Sequence, residues 1–153
     1  MVEFKTGTGK GTGYIGLPEK PRGGVLVLHA WWGLNDFFKS FCDRLASHGF
    51  LAFAPDLQGG KVAKTVSEAK ELMPKIDEDS RRAIVLGALG YLRSQPSQSG
   101  RKTGVVGFSM GAFWALWLST EAGRGRGGGR VLWNLPRVGL FQIKGIFSRP
   151  LRT

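Results

Sequence analysis

Thr103-Gly-Val-Val-Gly107-Phe108-Ser109-Met110-Gly111-Ala-Phe-Trp114-Ala-Leu-Trp117 is the stretch that decides the fold. A short β-branched run, Val105-Val106, leads into Gly107-Phe108-Ser109-Met110-Gly111, and a helix-forming segment follows at once. Serine flanked by glycine two residues before and two after, between a strand and a helix, is the pattern of a nucleophile elbow. The turn is too tight for side chains at the flanks, so Gly107 and Gly111 are required. It lifts the Ser109 hydroxyl above the sheet edge and aims the Met110 N–H at any oxygen bound beside it. The first N–H groups of the helix add positive potential there. The plainer alternative is a glycine-flanked turn of any parallel α/β protein; the strand–turn–helix context favours the elbow.

Upstream, Gly23-Gly24 release Val25-Leu-Val-Leu28, an apolar run of the length of a strand buried on both faces. His29-Ala30-Trp31-Trp32-Gly33-Leu34 follows, with Asn35 or Asp36 as helix N-cap. Phe37, Phe38, Phe41, Cys42 and Leu45 then repeat at three and four, and His48-Gly49 closes the helix. Phe50-Leu-Ala-Phe-Ala54 is a second buried strand ending at Pro55-Asp56. Two such strands joined through one helix make a βαβ unit with a parallel sheet. Helical patterns continue over residues 65–73 and 77–93, the second with Asp77 or Asp79 as cap and Ile84, Ala88 and Leu92 at spacing four. In residues 1–24 a short strand is expected at 13–17. Gly7-Thr-Gly9-Lys10-Gly-Thr-Gly13 reads as a hairpin or edge loop, because a phosphate loop needs a longer gap and a preceding strand. Ligands of open parallel sheets bind at the carboxyl ends of strands. Ser109 and His29-Ala30-Trp31 both fall at such ends.

With 153 residues, 42% of them hydrophobic, the chain has enough material for one cored domain. It contains no apolar run of membrane-spanning length. Met-Val-Glu-Phe-Lys-Thr-Gly lacks the apolar centre of a signal peptide, so a cytoplasmic location is expected. The single Cys42 is expected in the core rather than in chemistry. The net charge of +11 is unevenly spread: fifteen basic against ten acidic residues up to 120, then seven against one. Residues 1–120 therefore read as an ordinary α/β domain and 121–153 as a basic, Gly/Arg-rich, irregular tail.

Val25–Asn35, Phe50–Gly59 and Gly104–Gly111, in this order and spacing, resemble the dienelactone hydrolase family of the α/β-hydrolases, and the resemblance covers residues 13–119. It implies a partial α/β-hydrolase fold, a mostly parallel sheet with helices on both faces, lacking the C-terminal strands and helices. It also implies hydrolysis of a small ester or lactone, in the founding members a dienelactone of aromatic-ring degradation, with neither metal nor cofactor. Ser109 takes the nucleophile position, where founding members carry cysteine. Met110 N–H and Trp31 N–H would form the oxyanion hole, with His29, Trp32 and Phe108 lining the site. Founding members also carry a glutamate where this chain has Ala30. The cysteine-type activation network is therefore not expected, and a serine esterase-like member is.

A serine hydroxyl needs a base, and in this fold the order is serine, then acid, then histidine. After Ser109 there is no Asp and no His, and Glu121 stands too near along the helix. His48 is expected at a helix end, and His29 as structural support of the oxyanion loop rather than as a general base. Impaired turnover is therefore expected for this chain. The run Glu121-Ala-Gly-Arg-Gly-Arg-Gly-Gly-Gly-Arg130 stands where a fourth parallel strand should begin. One account is an Arg/Gly tail with affinity for RNA, the one route to nucleic acid in this sequence. The other is a truncation or reading-frame shift near codon 120, which explains the charge step and the absent relay together. Trp133-Asn-Leu-Pro and Leu140-Phe-Gln-Ile-Lys-Gly back-translate so that the next frame reads GTYP and FSKSKA, similar to what family members carry after the elbow helix. A non-catalytic binding protein using the aromatic cleft or the basic tail is the alternative function. Without later strands the elbow strand becomes an edge, and self-association through it is expected.

Overall fold

The computed structural model describes residues 1–124. Five strands lie in them: β1 (Val2–Thr6), β2 (Gly9–Gly16), β3 (Gly23–Leu28), β4 (Phe50–Pro55) and β5 (Thr103–Gly107). Four helices accompany them: α1 (Asp36–Ser47), α2 (Val66–Leu72), α3 (Glu78–Ser94) and α4 (Met110–Arg124). The strands form one mixed sheet in the order β1-β2-β4-β3-β5. β3 pairs in parallel with β4 on one side and β5 on the other. The glycine-rich N-terminus forms an antiparallel hairpin, Thr6 opposite Gly9, which decides between the hairpin and the edge loop; the strand expected at 13–17 is the end of its longer second arm. Phe4 anchors that hairpin edge-to-face on Phe53, with ring centres 5.3 Å apart.

Alternation along the two central strands separates the two faces of the sheet. Leu26, Leu28, Leu51 and Phe53 point to the side covered by α3 and α4, through Val85, Leu89, Leu92, Trp114 and Leu118. Val27, Ala52 and Ala54 point to the other side, covered by Phe38, Phe41, Cys42 and Leu45 of α1. Helices thus cover both faces of an α/β sheet, as expected. Cys42 is wholly buried, and burial pushes its thiol up to about 12, so it is core filling. Asn35 holds the N-cap position of α1 without a side-chain capping bond. Thr65 and Asp77 do cap α2 and α3, accepting from the N–H groups of Glu68 and Ser80. His48 closes α1, its Nδ1 2.7 Å from the Arg44 carbonyl oxygen.

Helix α4 runs to Arg124, four residues past the boundary drawn from composition. The rest of the Arg/Gly run, the expected fourth strand and the frame-shifted peptide lie outside the described residues, from 125 onward. Among the described residues, no helix is long and apolar enough to cross a membrane.

Candidate functional site

Three carboxyl ends meet at one edge of the sheet: residues 29–33 after β3, 56–60 after β4, and 108–110 after β5. The ladder between β3 and β5 carries directly into the elbow. Leu28 stands opposite Gly107, and the Phe108 N–H donates to the Leu28 carbonyl at 3.0 Å.

Ser109 has φ +52°, and among the described residues it is the one non-glycine in the left-handed region. Such a conformation costs about 1–3 kcal/mol and persists where the surroundings enforce it. Here the enforcement is steric. A Cβ on Gly111 would strike the Leu28 carbonyl, and one on Gly107 would strike the Gly111 carbonyl. The first turn of α4 therefore rests on the end of β3, and the serine between is held out into solvent, exposed. Gly111 N–H donates to Phe108 at 2.9 Å and Ala112 N–H to Ser109 at 2.8 Å. Among the described residues the Met110 and Trp31 N–H groups donate to no backbone carbonyl.

Ser109 and Met110 open into a cleft of about 380 Å³ that Trp31, Met73, Glu78, Arg81, Phe113 and Trp114 also line. Trp31 thus shares the cleft with the elbow, as the sequence reading had it. Three other expected lining residues sit elsewhere. Phe108 points through to the opposite face and packs edge-to-face on Phe38 and Phe41, at 5.3 and 5.4 Å. Trp32 stands edge-on to Trp31 at 5.6 Å and packs over Ala63, Ala69 and Leu72. His29 is fully buried beneath the loop. Alternation explains the first: one residue past Gly107 along the strand direction exchanges faces.

Both ring nitrogens of His29 are engaged. Nδ1 lies 2.6 Å from the Ala30 carbonyl, and Nε2 accepts the Leu57 N–H at 2.9 Å. The imidazole is therefore neutral, with its proton on Nδ1. Burial lowers its pKa, only partly offset by the Ala30 carbonyl and Asp56. His29 thus ties the loop after β3 to the loop after β4, and neither ring nitrogen keeps a free lone pair. His48, at the far end of α1, is bonded to Arg44.

Arg81 was missed. It is buried on α3, where its guanidinium donates to the carbonyls of Met73 at 2.6 Å and Leu57 at 3.4 Å and to Gln58 Oε1 at 3.2 Å. The readable signal was a cation within the apolar stripe of α3, one turn before Val85 in the series Val85, Ala88, Leu89, Leu92. Among the described residues no group of three acidic, histidine or cysteine side chains is arranged to hold a metal.

A profile of the dienelactone hydrolase family matches residues 12–127. The Protein usf of Aquifex pyrophilus is 38% identical over 125 residues, covering 78% of this chain and 54% of that protein. A protein of Aquifex aeolicus provisionally named carboxymethylenebutenolidase is 34% identical, over 79% of this chain and 55% of its own length. Among solved structures, a dienelactone hydrolase-like promiscuous phosphotriesterase from metagenomic libraries superposes with a TM-score of 0.67 at 29% identity. The match covers 79% of this chain and 53% of that one. The chain spans about half the length of the relatives it matches.

Proposed function

Because the chain belongs to the dienelactone hydrolase family, we propose that it carries the nucleophile half of a hydrolase site acting on a small ester or lactone. The observation that carries this reading is the strained, exposed Ser109 between Gly107 and Gly111, at the mouth of a cleft shared with Met110 and Trp31. Ser109 Oγ attacks the acyl carbon, and the carbonyl oxygen gains negative charge as the carbon becomes tetrahedral. The N–H groups of Met110 and Trp31 stabilise that oxygen. Collapse breaks the bond to the leaving oxygen. That oxygen takes up, through solvent water, the proton given up by Ser109 and departs as an alcohol, tethered where a lactone ring opens. A second water then releases the acid from the acyl-serine and returns a proton to Ser109. A cleft of about 380 Å³ with apolar walls from Trp31, Met73, Phe113 and Trp114 suits a substrate of small aryl or enol-lactone size.

The proton of Ser109 has no imidazole to receive it among the described residues, since His29 is tied on both nitrogens. Turnover by this chain is accordingly impaired. What the elbow and oxyanion donors supply alone in other serine hydrolases is a residual acceleration of about 10³–10⁴ over water. Hydrolysis of an activated aryl ester tests the reading: slow turnover that vanishes in Ser109→Ala is expected, and equal turnover by both proteins would overturn it.

A further inference from the structure

Four of the five buried polar side chains among the described residues, His29, Asp56, Gln58 and Arg81, gather under the loop that follows β3. Polar groups are buried at a cost unless each finds a partner, so their pairing shows what they hold in place. They pin both peptide groups around Trp31. The Ala30 carbonyl faces His29 Nδ1 at 2.6 Å and accepts the Gly33 N–H at 3.2 Å. The Trp31 carbonyl accepts from Gln58 Nε2 at 3.0 Å. In a planar trans peptide the carbonyl and the N–H point in opposite directions. Fixing the Ala30 carbonyl therefore fixes where the Trp31 N–H is aimed, and fixing the Trp31 carbonyl removes the remaining rotation about that residue.

The Gln58 amide is itself oriented by chemistry. Arg81 has donors only, so the oxygen of Gln58 must face its Nη2, 3.2 Å away, which turns the NH₂ toward Trp31. Arg81 is braced in turn on the Met73 carbonyl at 2.6 Å, and the Gln58 backbone N–H is held by Asp56 Oδ1 at 2.8 Å.

We propose that Gln58, oriented by Arg81, is a positioning residue for the oxyanion donor on Trp31. It touches no substrate; it prevents the Trp31 peptide from turning away from Ser109. This deepens, and rests on, the acyl-transfer reading of the site.

Gln58→Glu separates positioning from packing. The carboxylate still accepts from Arg81 but cannot donate to the Trp31 carbonyl. A phenylboronic acid, which forms a tetrahedral anion on serine, reads the oxyanion donors, whereas benzamide reads the cleft alone. Losing an oxyanion donor outright costs about 10²–10³-fold, and a loosened one is expected to weaken boronate binding by about 10-fold. Benzamide affinity should stay as in the parent protein. The ¹⁵N–¹H peaks of Trp31 and Trp32 should move or broaden while those of β3 and β4 hold. Unchanged boronate affinity together with unchanged Trp31 peaks would overturn the proposal, as would equal losses of boronate and benzamide. If Ser109→Ala binds the boronate as well as the parent, the acyl-transfer reading fails and takes the catalytic use of Gln58 with it. The Trp31 peaks then still decide whether Gln58 holds the loop.

Discussion

The backbone N–H of Leu57 donates to Nε2 of His29 at 2.9 Å, in the buried space below the Ser109 cleft. A donor facing Nε2 requires a lone pair there, so protonation of the ring would set two N–H groups against each other. Asp56, 3.9 Å from Nε2, would favour the cation, and Arg81 opposes it. Burial is the largest influence, and the pKa is lowered from 6.5. The unfolded chain therefore binds a proton at higher pH than the folded one, and stability rises with pH in that window. It is fully present above about pH 6.5 and falls as the pH drops below that value toward the folded pKa, with a limiting slope of about 1.4 kcal/mol per pH unit. Urea unfolding at pH 7.5, 6.5 and 5.5 should show this decline, and His29→Gln should flatten it. A parent protein more stable at pH 5.5 than at 7.5 would contradict the assignment.

The elbow makes a sharper prediction because its strain is local. Ser109 sits at φ +52°, which glycine adopts freely. Ser109→Gly should be more stable than Ser109→Ala by about 1 kcal/mol, both lacking the hydroxyl. Gly111→Ala should cost several times more, about 3 kcal/mol or above, because its Cβ meets the Leu28 backbone rather than a side chain that can move. Thermal unfolding of the three variants checks the order. A Gly111→Ala protein as stable as its parent would mean α4 does not rest on β3 as described.

Much of this was legible in the chain. Val25-Leu-Val-Leu28 and Phe50–Ala54 announce buried strands because both faces of those strands carry apolar residues, and Gly107-Phe-Ser109-Met-Gly111 announces the turn because no other residues fit it. What escaped was the composition of the cleft wall. Phe108 was placed beside the serine by sequence adjacency, whereas the pleat sends it to α1. Arg81 and Gln58 escaped because their roles depend on the loops after β3 and β4 meeting helix α3, contacts separated by more than twenty residues. Local periodicity shows that Arg81 faces inward; it does not show what the guanidinium meets.

Arg81 ties α3 to the segment around Met73 and to the loop after β4. Arg81→Met keeps the apolar stem but leaves the Met73 carbonyl and the Gln58 oxygen without their buried donor. A loss of about 2–4 kcal/mol is expected. Arg81→Lys should not restore it, since one ammonium cannot stand at both the Nε and the Nη2 positions from which the three partners are held. Urea midpoints of the two variants decide the point. A lysine variant within about 0.5 kcal/mol of the parent would reduce Arg81 to a buried charge without directional function.

Among the described residues β5 has a neighbour on one side only, β3, and the first turns of α4 leave Phe113 and Leu116 exposed at 56% and 68%. An unpaired strand beside exposed apolar side chains is a template for another chain. A second copy is the partner we expect, pairing β5 with β5 and covering Leu116. Sedimentation velocity from about 1 to 100 μM should show a concentration-dependent dimer, the range in which apolar patches of a few hundred Å² associate weakly. Leu116→Asp should shift that equilibrium toward monomer by about 10-fold while changing the stability of the monomer by no more than about 0.5 kcal/mol, because in the monomer the side chain it replaces is in water. A monomer across the whole range, or a dimer indifferent to Leu116→Asp, would show that this face is not where copies meet.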